Sequence, residues 1–107
     1  MPELEVNMER RLLSRIPIDH ETTIMTKDGN FTGVLENISM GGFFLRTNKH
    51  IDVGENVEVD IPFTSSVNIV TNVIAIRIED DGIAFKFENI DHYNFWTLHS
   101  FINYTNA

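Results

Sequence analysis

Asn56-Val57-Glu58-Val59-Asp60-Ile61 alternates polar and apolar side chains without a break. Side chains of an extended chain point alternately to opposite faces. Val57, Val59 and Ile61 therefore line one face, and Asn56, Glu58 and Asp60 the other. A helix does not read this way, and the stretch is the clearest half-buried strand in the chain. Pro62 through Ser66 breaks it. Beyond the break, residues 67–78 are rich in β-branched side chains, with a shift of phase around Thr71–Val73 that predicts a bulge or sharp bend there. Asp80-Asp81-Gly82 signals a tight turn, after which Ile83, Phe85 and Phe87 alternate with Ala84, Lys86 and Glu88. The period then changes. Asp91 suits an N-cap, and Phe95, Leu98 and Ile102 follow at helical spacing, which predicts an amphipathic helix over 92–104.

Upstream of the break the same grammar holds. Residues 47–54 form a loop, and 42–46 a short strand with Phe43 and Leu45 on one side. Residues 31–39 form a strand, Asp28-Gly29 a hairpin turn, and 21–27 a β-branched strand before it. Six short antiparallel strands followed by one helix predict an all-β fold: a six-stranded antiparallel β-barrel with a C-terminal α-helix as a lid. The expected boundaries are a tail over 1–9 and one domain over 10–107. That domain comprises an arginine-rich lead-in over 10–17, the barrel over 18–89 and the helix over 91–104.

A chain of 107 residues with 42% hydrophobic and 10% aromatic content can bury a modest single core. Its apolar runs are far too short to cross a bilayer, so no membrane insertion is expected. The acidic start Met1-Pro2-Glu3-Leu4-Glu5 lacks the order of a signal peptide, which points to the cytoplasm. With no cysteine, disulfides and thiol chemistry are excluded. His20, His50, His92 and His99 are scattered, and no nucleophile–base set is visible; neither a metal centre nor catalysis is expected. Trp96 and the phenylalanines read as core or lid packing. The net charge is 8 − 16 = −8. Tracking a nucleic-acid backbone requires many neutralised phosphates, so a nucleic-acid partner is not expected.

Against that acidic background, Arg10, Arg11 and Arg15 fall within six positions. Like charges so close repel, so they await a local anionic partner or form a solvated patch. Arg11 and Arg15 would share a face of a short helix, which Pro17 would stop. The second polar constellation is Asn37-Ile38-Ser39-Met40-Gly41-Gly42. Strand alternation puts Asn37 and Ser39 on one face, where both can donate and accept hydrogen bonds. Gly41 and Gly42 allow positive φ and close approach of a ligand to the backbone. Such a pair can read a purine edge; the plainer reading is a polar β-turn.

In this order and strand context, Arg11-x-x-x-Arg15 and Asn37-x-Ser39-x-x-Gly42 resemble the PilZ domain family, small bacterial receptors for cyclic di-GMP. The segment Ala75-Ile76-Arg77, turn, Gly82 to Phe87 looks like that family's closing hairpin, and the resemblance covers residues 10 to about 104. It implies the same barrel, a binding function without catalysis, and a ligand site of Arg10, Arg11, Arg15, Asn37, Ser39, Gly41 and Gly42. In such a site the guanidiniums would fork onto phosphates and stack on guanine, while Asn37 and Ser39 would bond a guanine edge. An arginine at position 10 implies two stacked ligands per chain. Asn37 stands where the family more often has Asp, which implies lower affinity. The resemblance further implies an effector protein that reads ordering of the arginine segment, in motility or biofilm control. The alternatives are a ligand-independent adaptor in pilus or flagellar function and, behind it, an oligonucleotide-binding barrel.

Overall fold

A computed structural model describes the chain from Ile16 to Asn106. It contains β1 (Ile16–Thr26), β2 (Gly29–Ile38), β3 (Gly42–Arg46), β4 (Asn56–Pro62), β5 (Asn68–Glu79), β6 (Gly82–Phe87) and α1 (His92–Asn106). The strands close into an antiparallel barrel in the order β1-β2-β3-β6-β5-β4. The six-stranded barrel and the C-terminal helix are those the alternation patterns predict.

The β4 pattern is realised residue by residue: Val57, Val59 and Ile61 are buried, and Asn56 and Glu58 face solvent. The partner strand β5 buries Ile69, Thr71, Val73 and Ala75 in unbroken alternation. The irregularity expected at Thr71–Val73 therefore lies later, between Ala75 and Arg77, where Ile76 is the extra residue against β6. The small polar Thr71 occupies an inward position, and that imitates a change of phase. β1 starts at Ile16, before the expected barrel start at Ile18. Pro17, which has no N–H to give to a ladder, is tolerated because β1 pairs with β4 only at Thr23–Met25 and is an edge at its start.

Inside, Phe43 stacks on Phe85 at 5.2 Å between centroids and meets Phe87 at 5.6 Å. Leu98 and Ile102 of α1 complete the core from the barrel mouth. Burying each such side chain is worth about 2 kcal/mol. Asp91 accepts a 2.8 Å hydrogen bond from the Asn94 N–H, the cap its sequence position predicts. The buried Asn94 side chain in turn donates to the Val70 carbonyl at 3.0 Å, which ties the helix to β5.

Candidate functional site

The polar constellation lies at the β2–β3 hairpin, and a bulge decides which way it faces. Leu35 pairs with Leu45, but Asn37 pairs with Phe44, so Glu36 is an extra residue in β2. Without it, alternation from the buried Leu35 would turn Asn37 into the core. With it, Ile38 and its partner Phe43 point inward, and Asn37 joins Phe44 on the outer wall. The signal was present in the sequence: apolar residues at 35 and 38 are separated by two polar ones.

Ser39 begins the turn. Its backbone N–H donates to the Gly42 carbonyl at 2.8 Å. Its hydroxyl accepts from the Gly41 N–H at 3.2 Å and donates to the Gly42 carbonyl at 3.3 Å. Its only O–H proton is thus engaged inside the turn, and the residue is buried at 5% exposure, with acceptor capacity alone left over. The polar-turn reading of this stretch is geometrically real.

The two glycines differ. Among the described residues the glycines with positive φ are Gly29 and Gly54, so neither Gly41 nor Gly42 uses the left-handed freedom anticipated for them. A Cβ on Gly42 would stand 2.0 Å from the Phe85 carbonyl oxygen. Close approach is indeed its role, but to strand β6. At Gly41 a Cβ would meet only Ser39 Oγ at 3.9 Å, so its backbone borders open space. Its carbonyl is fixed by the Phe87 N–H at 3.0 Å.

Arg10, Arg11 and Arg15 lie outside the described residues. The strand register nevertheless locates their attachment: Ile16 pairs with Ile38 and Pro17 with Asn37. The first described residues of β1 therefore lie beside the strand end that carries Asn37 and leads into Ser39. On the same wall Arg46 pairs with Asp19 at 3.5 Å and lies 3.8 Å from Glu36. No sequence pattern announced this cluster, because its members come together only through two bulges. Its two carboxylates outnumber its one guanidinium, so an anion on this wall needs cations from elsewhere.

Trp96 departs from its expected packing role. It is 55% exposed, because the helix turns Asn94, Leu98 and Ile102 to the barrel and Trp96 away. His99 is half-buried against the Phe95 and Trp96 rings, and His92 is exposed.

A small closed barrel with a helix over its mouth, and a polar turn beside the start of its first strand, defines a domain of the small β-barrel class. The PilZ domain family profile matches residues 9–104, and the chain belongs to that family. Solved structures agree on the fold. The PilZ domain of YcgR from Escherichia coli, solved with c-di-GMP, superposes with a TM-score of 0.76 at 16% identity, covering 91% of this chain and 92% of that one. The PilZ domain of CeSA from a cellulose-synthesizing bacterium gives 0.70 at 18%, covering 88% and 99%. The inhibitor of motility of Bacillus subtilis gives 0.75 at 16%, covering 86% of this chain but 49% of that one, so the chain spans about half of that relative. No curated protein sequence matches. Among the described residues, no helix is long and apolar enough to cross a membrane.

Proposed function

We propose that this chain is a receptor for cyclic di-GMP that binds the nucleotide between its arginine lead-in and the β2–β3 hairpin. One observation supports the reading: the pairing of Ile16 with Ile38 and Pro17 with Asn37, which sets the start of β1 beside the motif turn. Membership of the PilZ family and the neighbour solved with c-di-GMP support it. In this reading Arg11 and Arg15 fork onto phosphate oxygens and stack on guanine. Asn37 bonds a guanine edge from the outer wall, and the Ser39 oxygen accepts from guanine N–H groups. Gly41 lets the ligand close on the backbone, while Gly42 holds the turn against β6. Arg10 supplies the charge and stacking plane that a second ligand requires, giving two per chain.

The carboxylates of Asp19 and Glu36 give the arginines a further purpose. The wall does not neutralise a ligand phosphate by itself, so binding depends on residues 10–15 closing over it. That closure alters the surface near the chain's start, and an effector protein reads the change.

Isothermal titration with cyclic di-GMP tests the reading. Wild type is expected to release heat that saturates at two ligands per chain, and an Arg11→Ala/Arg15→Ala variant to show none. A folded wild type without heat, and without binding by a second assay, returns the chain to the ligand-independent adaptors. Saturation at one ligand removes the role given to Arg10. Amide exchange at residues 8–17 is expected to slow with ligand, and unchanged exchange removes the closing step.

A further inference from the structure

Along all 15 residues of α1 there is no Asp, Glu, Lys or Arg, on a chain whose net charge is −8. One face of the helix is accounted for by Asn94, Leu98 and Ile102 against the barrel. The opposite face presents Tyr93, Trp96, Thr97 and Ser100 at i, i+3, i+4 and i+7, with Tyr93 70% and Trp96 55% exposed.

Between this face and the β4–β5 loop runs an open groove of about 800 Å³. Phe63, Val67 and Phe101 line it, with the Phe63 and Phe101 rings 4.3 Å apart. Grooves of this size accept a few large side chains. It lies apart from the nucleotide site proposed above. In the ring β1-β2-β3-β6-β5-β4 the β4–β5 loop is three strands away from the β2–β3 hairpin, on the other side of the barrel mouth.

The surrounding charges favour one class of occupant. Thr64 and Val67 also border a neighbouring polar hollow that carries Asp60, and Asp91 stands at the head of the helix. Among the described residues the Lys and Arg side chains are Lys27, Arg46, Lys49, Arg77 and Lys86, and none lines the groove or the hollow. An apolar groove with no described Lys or Arg along it, on a chain of net charge −8, fits a helix that is apolar on one face and basic along its flanks. A second copy of this chain would bring the same carboxylates and the same net charge of −8, and an anionic lipid surface would likewise repel it. We propose that the groove along α1 docks a basic amphipathic helix of a partner protein.

Trp96 is the chain's single tryptophan, so the site carries its own reporter. The probe is a synthetic Leu/Lys amphipathic helical peptide, with its Leu/Glu counterpart as control, at physiological salt. With the Leu/Lys peptide, Trp96 emission is expected to shift to the blue and acrylamide quenching to fall, both saturably. The Leu/Glu peptide is expected to bind at least about tenfold more weakly. Tyr93→Glu makes the chain more acidic but places a charge on the apolar face, so peptide affinity is expected to fall by about tenfold or more. Ser100→Glu, on the same exposed face, is the second variant should the first fail to fold. Undiminished binding by these variants would show that the peptide is held by charge elsewhere, and would overturn the proposal. So would the absence of a shift, or a shift with anionic vesicles and not with peptide. A peptide-free dimer in sedimentation that Tyr93→Glu dissociates would assign the groove to a second copy instead.

Discussion

Replacing Gly42 by alanine sets a methyl group 2.0 Å from the Phe85 carbonyl oxygen and 3.1 Å from the Lys86 Cα. Carbon–oxygen contacts settle at about 3.3 Å, so β3 must retreat from β6 by about 1.3 Å (3.3 − 2.0). Both atoms it strikes are backbone, so no side chain can swing aside. A retreat of that size breaks ladder hydrogen bonds, each worth about 1 kcal/mol net. Overpacking adds about 1–3 kcal/mol. The total loss is about 3–5 kcal/mol, a large fraction of the roughly 5–15 kcal/mol that holds a domain together. The melting temperature should fall by roughly 12 °C or more. Gly41→Ala is the matched control: its methyl meets only Ser39 Oγ at 3.9 Å, and its φ is not positive. Its stability should match or slightly exceed wild type. The assay is urea unfolding followed by far-ultraviolet circular dichroism and Trp96 fluorescence. A Gly42→Ala variant within about 1 kcal/mol of wild type would refute the assignment of this glycine to strand packing. The pair also separates causes: ligand binding lost in Gly41→Ala is lost at the site, whereas in Gly42→Ala it is lost with the fold.

Ser39→Ala removes both hydroxyl hydrogen bonds of the turn and should cost about 1–2 kcal/mol in denaturant unfolding, with weaker cyclic di-GMP binding by calorimetry. Asp91→Ala removes the cap bond to the Asn94 N–H and should cost about 1 kcal/mol, read as a lower urea midpoint at unchanged slope. Arg46→Ala breaks two half-exposed ion pairs and should change stability by less than about 1 kcal/mol in the same assay.

The barrel was legible because its strands obey period two where they are half-buried. Val57, Val59 and Ile61 could be placed inward by counting alone. The tight turns were announced by Asp28-Gly29 and Asp80-Asp81-Gly82, and the helix cap by Asp91. The bulges were harder, because an extra residue shows only as an odd spacing between apolar positions. At Glu36 that spacing was readable, but at Thr71–Val73 an inward threonine simulated a change of phase that the backbone makes only at Ile76. For the candidate site, the residue types of the motif were plain in the sequence. The division of labour between Gly41 and Gly42 was not, since it depends on how near β6 comes to β3. The exposure of Trp96 was equally hidden: helical spacing names two faces of α1, and only the barrel decides which one is covered.

The most direct test of the account is to map cyclic di-GMP onto the backbone amides by heteronuclear NMR titration. The largest shifts are expected at Asn37 through Gly42, Phe44 and the start of β1, with Thr26–Asn30 and Lys49–Glu55 at the far end of the barrel unmoved. Shifts concentrated at that far end, or none at saturating nucleotide, would contradict it.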